Sequence, residues 1–329
     1  MTSGSLHRAR GVLAALLVTT VLAGCTGQPD PVVPTAAPEP VLPRPVGMQD
    51  PAVIPDEPTV APGSCDPRAS LRPGTLPPPG RMPAGSTMAQ IAQRGRLVVG
   101  VDQNNYRFGF RDPHSGELTG FDVDLAREIA KAIFGDPDRI QFRAISSGDR
   151  IKAIQDGTVD LVVRTMTMTC ERWEQVAFSS EYFTAGQRVL VPHDSAARRI
   201  GDLRGRKVCA AAGSTSIRNV AAAGAVPVSV VDWTDCLVLL QQHQVAAVST
   251  DDSILAGLAE QDPHTRIVGP KFSDEPYGIA ISRSHGDLVR FVNAVLERLR
   301  ADGTWTRLYN RWLTALGPAP TPPAARYRD

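Results

Sequence analysis

Apolar residues come along this chain in short bursts separated by helix-period stretches. Leu97–Val101, Ile140–Ala144, 159–163, Lys207–Ala211, 228–231, 245–249 and 277–281 are runs rich in Val, Ile, Leu and Ala that read as buried strands. Between them, Phe121, Leu125, Ile129 and Ile133 recur four apart until Gly135, the mark of an amphipathic helix. Further helices are predicted over 149–156 (stopped by Gly157), after the loop Gly213-Ser214-Thr215-Ser216, over 234–243, over 252–259, and as a pair around Asp302-Gly303 within 287–313. The first ordered helix starts at Thr87-Met88-Ala89-Gln90, a capping-box pattern, and ends at Gly95. Strands alternating with helices imply right-handed βαβ units and parallel sheets. The alternation is interrupted near 188–191 and then restarts, so the pattern describes two lobes.

The flanks lack this periodicity. Residues 26–86 are dense in Pro and Gly with scattered Val, Leu and Ile, which predicts an extended tether of polyproline character; the tail 317–329 reads the same way. Ahead of the tether, His7, Arg8 and Arg10 precede an uncharged run over 11–23, too short for a hydrocarbon core of ~30 Å. That is the layout of a signal peptide over residues 1–24. It ends in Leu22-Ala23-Gly24-Cys25, which matches the bacterial lipobox, with cleavage before Cys25 and lipidation of that cysteine.

Composition narrows the chemistry. A chain of 329 residues, 21% charged and 42% hydrophobic, has ample material for two globular units. A net charge of +1 argues against a nucleic-acid partner, which needs a concentrated basic surface. With Cys25 processed, four of five cysteines remain, enough for two disulfides in an oxidising compartment. There is no phosphate loop, HExxH, CxxC or nucleophile elbow, and the six histidines are scattered. No metal or cofactor is therefore expected.

The stretch DLVVRTMTMTCERWEQVAFSSEYF, residues 160–183, carries the candidate chemistry. Its strand empties into Arg164-Thr165-Met166-Thr167-Met168-Thr169, and Thr169 is a candidate N-cap for a short helix holding Arg172. Arg172 could pair bidentately with a carboxylate or be an ordinary surface arginine. The order of strand, small or hydroxyl residues, Thr-x-Thr-x-Glu-Arg and Phe-Ser-x-x-Tyr resembles the extracytoplasmic solute-binding proteins for polar amino acids, family 3, the receptors of ABC importers. Gly120-Phe121-Asp122-Val123-Asp124 is a second hallmark, its acidic residues reading as caps and first-turn charges. The similarity covers 88–317 and the lipobox, and runs nearest to actinobacterial glutamate-, aspartate- and asparagine-binding lipoproteins.

This resemblance implies an α/β periplasmic-binding-protein fold of type II. Each lobe would be a mixed, mostly parallel sheet flanked by helices. Lobe 1 would comprise 87–190 and 275–316 and lobe 2 191–274, with hinge crossings near 187–192 and 270–276. It also implies that Arg172 takes a ligand α-carboxylate with backbone N–H groups of Thr167 and Thr215, and that Asp251 takes the α-ammonium with a carbonyl and a hydroxyl from Thr165 and Thr167. Asp251 could instead cap the helix beginning at Asp252. Asp102 and Tyr106 lie on the loop after the first strand. Arg164 is the expected reader of an acidic side chain, with Arg218 or Arg107 as alternatives. Cys209–Cys236 is the expected pair within lobe 2, and Cys65–Cys170 ties the tether to lobe 1. Three departures from the family pattern stand out: His243-Gln244-Val245-Ala246 in the second lobe, Asn105 where an aromatic is usual, and no basic residue before Gly213.

The functional expectation is a monomeric, non-enzymatic, lipid-anchored receptor for an acidic amino acid, glutamate or aspartate, with the amides binding more weakly, serving an ABC permease. A sensory lipoprotein docking on a membrane signalling protein and a cyclohexadienyl dehydratase-like enzyme are the alternatives, the last disfavoured by the tether.

Overall fold

The structure, a computed structural model, describes residues 42–54 and 65–329. The expected signal peptide and the lipobox match with Cys25 lie outside the described residues. Two five-stranded sheets organise the rest. In the first lobe the order is Ile140–Ala144, Leu97–Val101, Leu161–Val162, Ala280–Ile281, Ala177–Phe178; the first three are parallel, and Ala280–Ile281 runs antiparallel to both neighbours. The second lobe repeats the plan with Val226–Val230, Lys207–Ala211, Ala247–Asp251, Gln187–Pro192 and Thr265–Val268, where Gln187–Pro192 is the antiparallel member. In each sheet that odd strand is the one that arrives from the other lobe.

Each sheet is buried by helices on its faces, which is why its central strands are apolar almost throughout. Phe121–Phe134 and Gly286–Ala301 cover the first, and Thr215–Ala222, Trp233–Gln241 and Asp252–Gln261 belong to the second. Helix bounds shift by a residue or two from the sequence reading, as with Trp233–Gln241. The N-cap of the first helix, Thr87–Arg94, is Ser86, whose Oγ accepts the Ala89 N–H at 3.1 Å, and not Thr87. The extended conformation of Ser86 leaves its side chain over the first turn, whereas Thr87 is already helical.

The hinge is a two-stranded antiparallel ribbon, Phe183–Ala185 against Glu275–Tyr277. The first crossing therefore precedes Gln187–Pro192, which the sequence reading assigned to the hinge and which is instead a full member of the second sheet. Aromatic rings weld the ribbon to lobe 1: Phe108 meets Phe183 edge-on at 5.3 Å, and Phe183 stacks on Tyr277 at 5.6 Å.

The Pro-rich flanks differ most from expectation. Residues 42–54 add to the edge of the second sheet: Gln49 and Ser229 exchange backbone hydrogen bonds at 2.9 and 3.0 Å, Ala52 N–H donates to Pro227 O at 2.8 Å, and Lys207 pairs with Asp50 at 2.6 Å. Residues 65–72 dock on lobe 1 instead. Cys65 is joined to Cys170, the Trp173 indole donates to Pro67 O at 2.8 Å, and Arg68 grips Glu181 and Asp274, which precede the two hinge strands. The tail returns to lie beside this segment, Arg326–Tyr327 pairing in parallel with Ala69–Ser70. A proline-rich chain cannot build a core, but its extended backbone can borrow one by edge pairing, which composition does not reveal. Cys209–Cys236, the second expected pair, closes within lobe 2 with Cα atoms 5.5 Å apart.

Removing residues 1–54 should uncover the Val226–Val230 edge. Three backbone hydrogen bonds and the half-buried Met48, Ala52 and Ile54 together supply about 2–4 kcal/mol to that edge. The amides of Val226–Val230 should then exchange about 30-fold faster or more, and unchanged protection would show that the segment contributes nothing.

Candidate functional site

The parallel strands of both lobes point their carboxyl ends at one cleft, where open α/β sheets place ligands. Lobe 1 contributes Ser147 and Arg150 after Ile140–Ala144, and Thr165, Thr167 and Arg172 after Leu161–Val162. Lobe 2 contributes Ser214, Thr215 and Ser216 after Lys207–Ala211, Trp233 and Ile254 from helices, and Thr250-Asp251 at the end of Ala247–Asp251. These twelve residues line a narrow pocket with an open volume of only about 10 Å³, on the order of one water position.

The lobes touch around it. Gly213, at φ +72°, lies so close to Gly148 of lobe 1 that a Cβ on it would come within 2.7 Å of the Gly148 Cα. Likewise a Cβ on Gly257 would meet the Tyr106 carbonyl at 2.8 Å, so this helix face and the Tyr106 loop close only because glycine stands there. Next to that contact Arg107 reaches across to Glu260, with Nε–Oε1 at 2.7 Å. The molecule is in its closed arrangement.

Local sequence explains the lobe 1 corner. Thr165 adopts φ 39°, uncommon for a β-branched residue, and the turn is held by Asp122, which accepts the Thr165 N–H at 2.9 Å and the Tyr182 hydroxyl at 2.9 Å. Asp122 is thus not a helix cap but the strut of the binding loop; burial pushes its carboxyl up to about 7. Thr169 caps the next turn, accepting the Arg172 N–H at 3.2 Å, and so sets Arg172 pointing back at the strand end. The Arg172 guanidinium donates to Thr167 O at 2.7 Å and across the cleft to Gly213 O at 3.2 Å.

Arg150 is the residue the sequence reading missed. It is 4% exposed and donates to the carbonyls of Ser147, Arg164, Thr165 and, across the cleft, Gly213, at 2.9 to 3.4 Å. Among the described residues, neither Arg150 nor Arg172 makes an ion pair with a carboxylate; the acceptors of both are backbone carbonyls. Burial lowers both guanidinium pKa values, and for Arg150 the neighbouring Arg172 and Arg164 add to the effect. Its place one residue into the helix after a strand's carboxyl end was the available signal.

Arg164 departs from expectation. It is 1% exposed, lies outside the cavity wall, and its Nη2 sits 2.8 Å from Asp102 Oδ2, while Nε donates to Ile145 O and Nη1 to Ser147 Oγ, both at 2.7 Å. A buried guanidinium so paired has no charge left for a ligand. Asp102 is likewise consumed by this pair and by the N–H groups of Gln103 and Asn104. Arg218 is half-buried on Thr215–Ala222 and is not among the lining residues; Tyr106 packs edge-on against Phe110 at 5.0 Å, beside the cleft and not in its wall.

On the opposing side Asp251 is 3% exposed. Its Oδ2 accepts the Tyr277 hydroxyl at 2.5 Å, and its Oδ1 is buried without a partner. It stands at the N-cap position of Asp252–Gln261 but makes no side-chain capping bond. Burial, with Glu275 nearby, pushes its carboxyl well above the usual range. Glu275 itself is fully engaged: Thr167 and Thr215 donate their hydroxyls to Oε2 at 2.6 and 2.8 Å, and Ser273 and Asn219 donate to Oε1 at 2.6 and 3.2 Å. The Thr167 hydroxyl, expected at the ligand, is therefore spent on the hinge together with that of Thr215. Arg150 and Arg172 from lobe 1 thus face Asp251 of lobe 2 across the pocket, with the Glu275 carboxylate beside them.

Comparison with known proteins decides the lineage. The bacterial extracellular solute-binding proteins, family 3, match residues 97–315. The chain belongs to this family. The ABC transporter glutamine-binding protein GlnH of Bacillus subtilis is 38% identical over 230 residues, 69% of this chain and 84% of that protein. The glutamate-binding protein GluB of Corynebacterium glutamicum is 31% identical over 248 residues, covering 71% and 84%. An ancestral arginine-binding protein solved bound to glutamine is 36% identical, with a TM-score of 0.62, covering 67% of this chain and 98% of its own. These relatives are two-lobed extracytoplasmic solute receptors, not enzymes.

Arg164→Gln tests the structural role of the Arg164–Asp102 pair. Leaving Asp102 buried and unpaired should cost about 3–5 kcal/mol of lobe 1 stability, read as a fall in the denaturant midpoint. A variant as stable as the parent would refute that role.

Proposed function

We propose that this receptor closes on an acidic amino acid, glutamate or aspartate, and delivers it to an ABC importer from a lipid anchor at Cys25. The observation that carries the ligand assignment is a pair of arginines in the pocket wall, Arg150 and Arg172, neither of which has a carboxylate in direct contact among the described residues. Asp251 stands across from them, and the buried Glu275 lies behind Thr167 and Thr215 with its own donors. A ligand with two carboxylates and one ammonium gives each arginine a carboxylate to grip and gives Asp251 a cation. An amide ligand leaves one arginine without a carboxylate, and an arginine ligand adds a third cation.

In this reading Arg172 holds the α-carboxylate with the N-terminal end of Thr215–Ala222, the unpartnered Oδ1 of Asp251 accepts from the α-ammonium, and Arg150 holds the side-chain carboxylate. Thr165 and Thr167 contribute backbone shape at this corner. Because the opposite charges sit on different lobes, the ligand completes the interface and favours closure. The glutamine- and glutamate-binding relatives support an amino-acid ligand, and the second buried arginine selects the acid.

Calorimetric titration tests the assignment. Arg172→Ala and Asp251→Ala should each weaken binding at least ~100-fold, since each strands a desolvated ligand charge at ~3 kcal/mol or more. Arg150→Gln should lower glutamate or aspartate affinity while leaving glutamine or asparagine nearly unchanged. An unaltered acid-to-amide ratio in Arg150→Gln would end the acidic assignment and leave only a general amino-acid receptor.

Anchoring rests on the charged n-region, the apolar run and the Leu22-Ala23-Gly24-Cys25 match. Cys25→Ala protein should leave the detergent phase on partitioning. If it partitions as the parent does, the lipid anchor is wrong.

A further inference from the structure

We infer that Trp233 reads the ligand's side chain from the second lobe, donating its indole N–H to a side-chain oxygen. The inference rests on the receptor reading above and deepens it. Trp233 opens the helix Trp233–Gln241, is 3% exposed and forms part of the cavity wall. Its Nε1 is buried with no acceptor.

The other three of the chain's four tryptophans show what is usual here. Trp173 donates to Pro67 O at 2.8 Å, Trp305 to Tyr182 O at 2.8 Å, and Trp312 to Asp124 Oδ2 at 2.7 Å. An indole nitrogen is a donor only, and a buried one ordinarily finds a partner. The lone exception among them is the one that lines the cleft pocket.

The chemistry of the wall says what the missing acceptor is. Asp251 is the one carboxylate among the lining residues, and its unpartnered oxygen is the counterpart of an ammonium. The nearby Glu275 has both oxygens occupied by four donors. What remains for the side-chain end of a ligand is a set of donors, the Arg150 guanidinium from lobe 1 and the Trp233 N–H from lobe 2. A side chain bearing oxygen can accept from such donors, and one ending in a cationic or amine group cannot. Trp233 belongs to lobe 2 and Arg150 to lobe 1, so a side-chain carboxylate that accepts from both would bridge the closed lobes, and ligands lacking it would close the cleft less firmly.

Trp233→Phe keeps a ring and removes the N–H. Affinity for glutamate or aspartate should fall by about tenfold or more, the size of a hydrogen bond to a charged group, while affinity for norvaline, whose side chain has no oxygen, should stay as in the parent. Equal losses for both ligands would assign Trp233 to ring packing, and no loss for either would remove it from recognition; both outcomes overturn the inference. Independently, the Trp233 indole N–H resonance, assigned by its absence from the variant, should move downfield on saturation with glutamate, and an unmoved resonance overturns the inference even if affinity drops. Failure of the underlying receptor reading looks different: Arg172→Ala in the parent background would then bind glutamate undiminished.

Discussion

One carboxylate, Glu275, sets how the two lobes meet. It lies on a hinge strand whose register is fixed by pairing with Ala185, and it is almost completely buried. A charge in that position is tolerable only if its oxygens are saturated by donors, and the donors come from both sides: Thr167 from lobe 1, Thr215 and Asn219 from lobe 2, and Ser273 from the crossing itself. Opening the cleft would pull at least one lobe's donors away and leave the carboxylate short. In the closed arrangement both of its oxygens are satisfied.

The same accounting sorts three arginines that sequence alone would rank as equals. Arg164 is matched by Asp102 within lobe 1 and is a structural ion pair. Arg150 and Arg172 are buried too, yet their acceptors are carbonyl groups, some of them from the opposite lobe. Carbonyl dipoles solvate a guanidinium without cancelling its charge, so neither arginine is neutralised by a carboxylate in direct contact. Asp251, with one oxygen fixed by Tyr277 and the other open, is their counterpart on lobe 2. Recognition and lobe closure are therefore one electrostatic problem.

The Pro-rich segments are integrated into this frame. Residues 42–54 extend the second sheet while residues 65–72 are fastened to the first lobe by a disulfide and by Arg68, which touches the approaches to both hinge strands through Glu181 and Asp274. The chain thus contacts both lobes before the helix Thr87–Arg94 begins, and the C-terminal tail is laid beside residues 69–70.

The sequence by itself determined the two-lobe α/β plan, because short apolar runs alternating with 3.6-period helices leave few ways to bury both. It also determined the Thr169 cap, the place of Arg172 on the short helix that follows a strand, and Asp251 at a strand end, each tied to local pattern, while the cysteine pairs were legible only through the placement of their elements and family resemblance. Only the tertiary structure decided which arginine has a partner. Arg150, Arg164 and Arg172 look alike in one dimension, and what separates them is whether a carboxylate from a distant strand lies within reach, as Asp102 does for Arg164. The same holds for Asp122, Glu275 and Trp233, whose roles come from Thr165, from hydroxyls of two lobes and from the lack of any acceptor. Periodicity reports which face of an element is buried; the partner met there depends on contacts remote in sequence, and it is the partner that fixes whether a buried polar group is structural or free for a ligand.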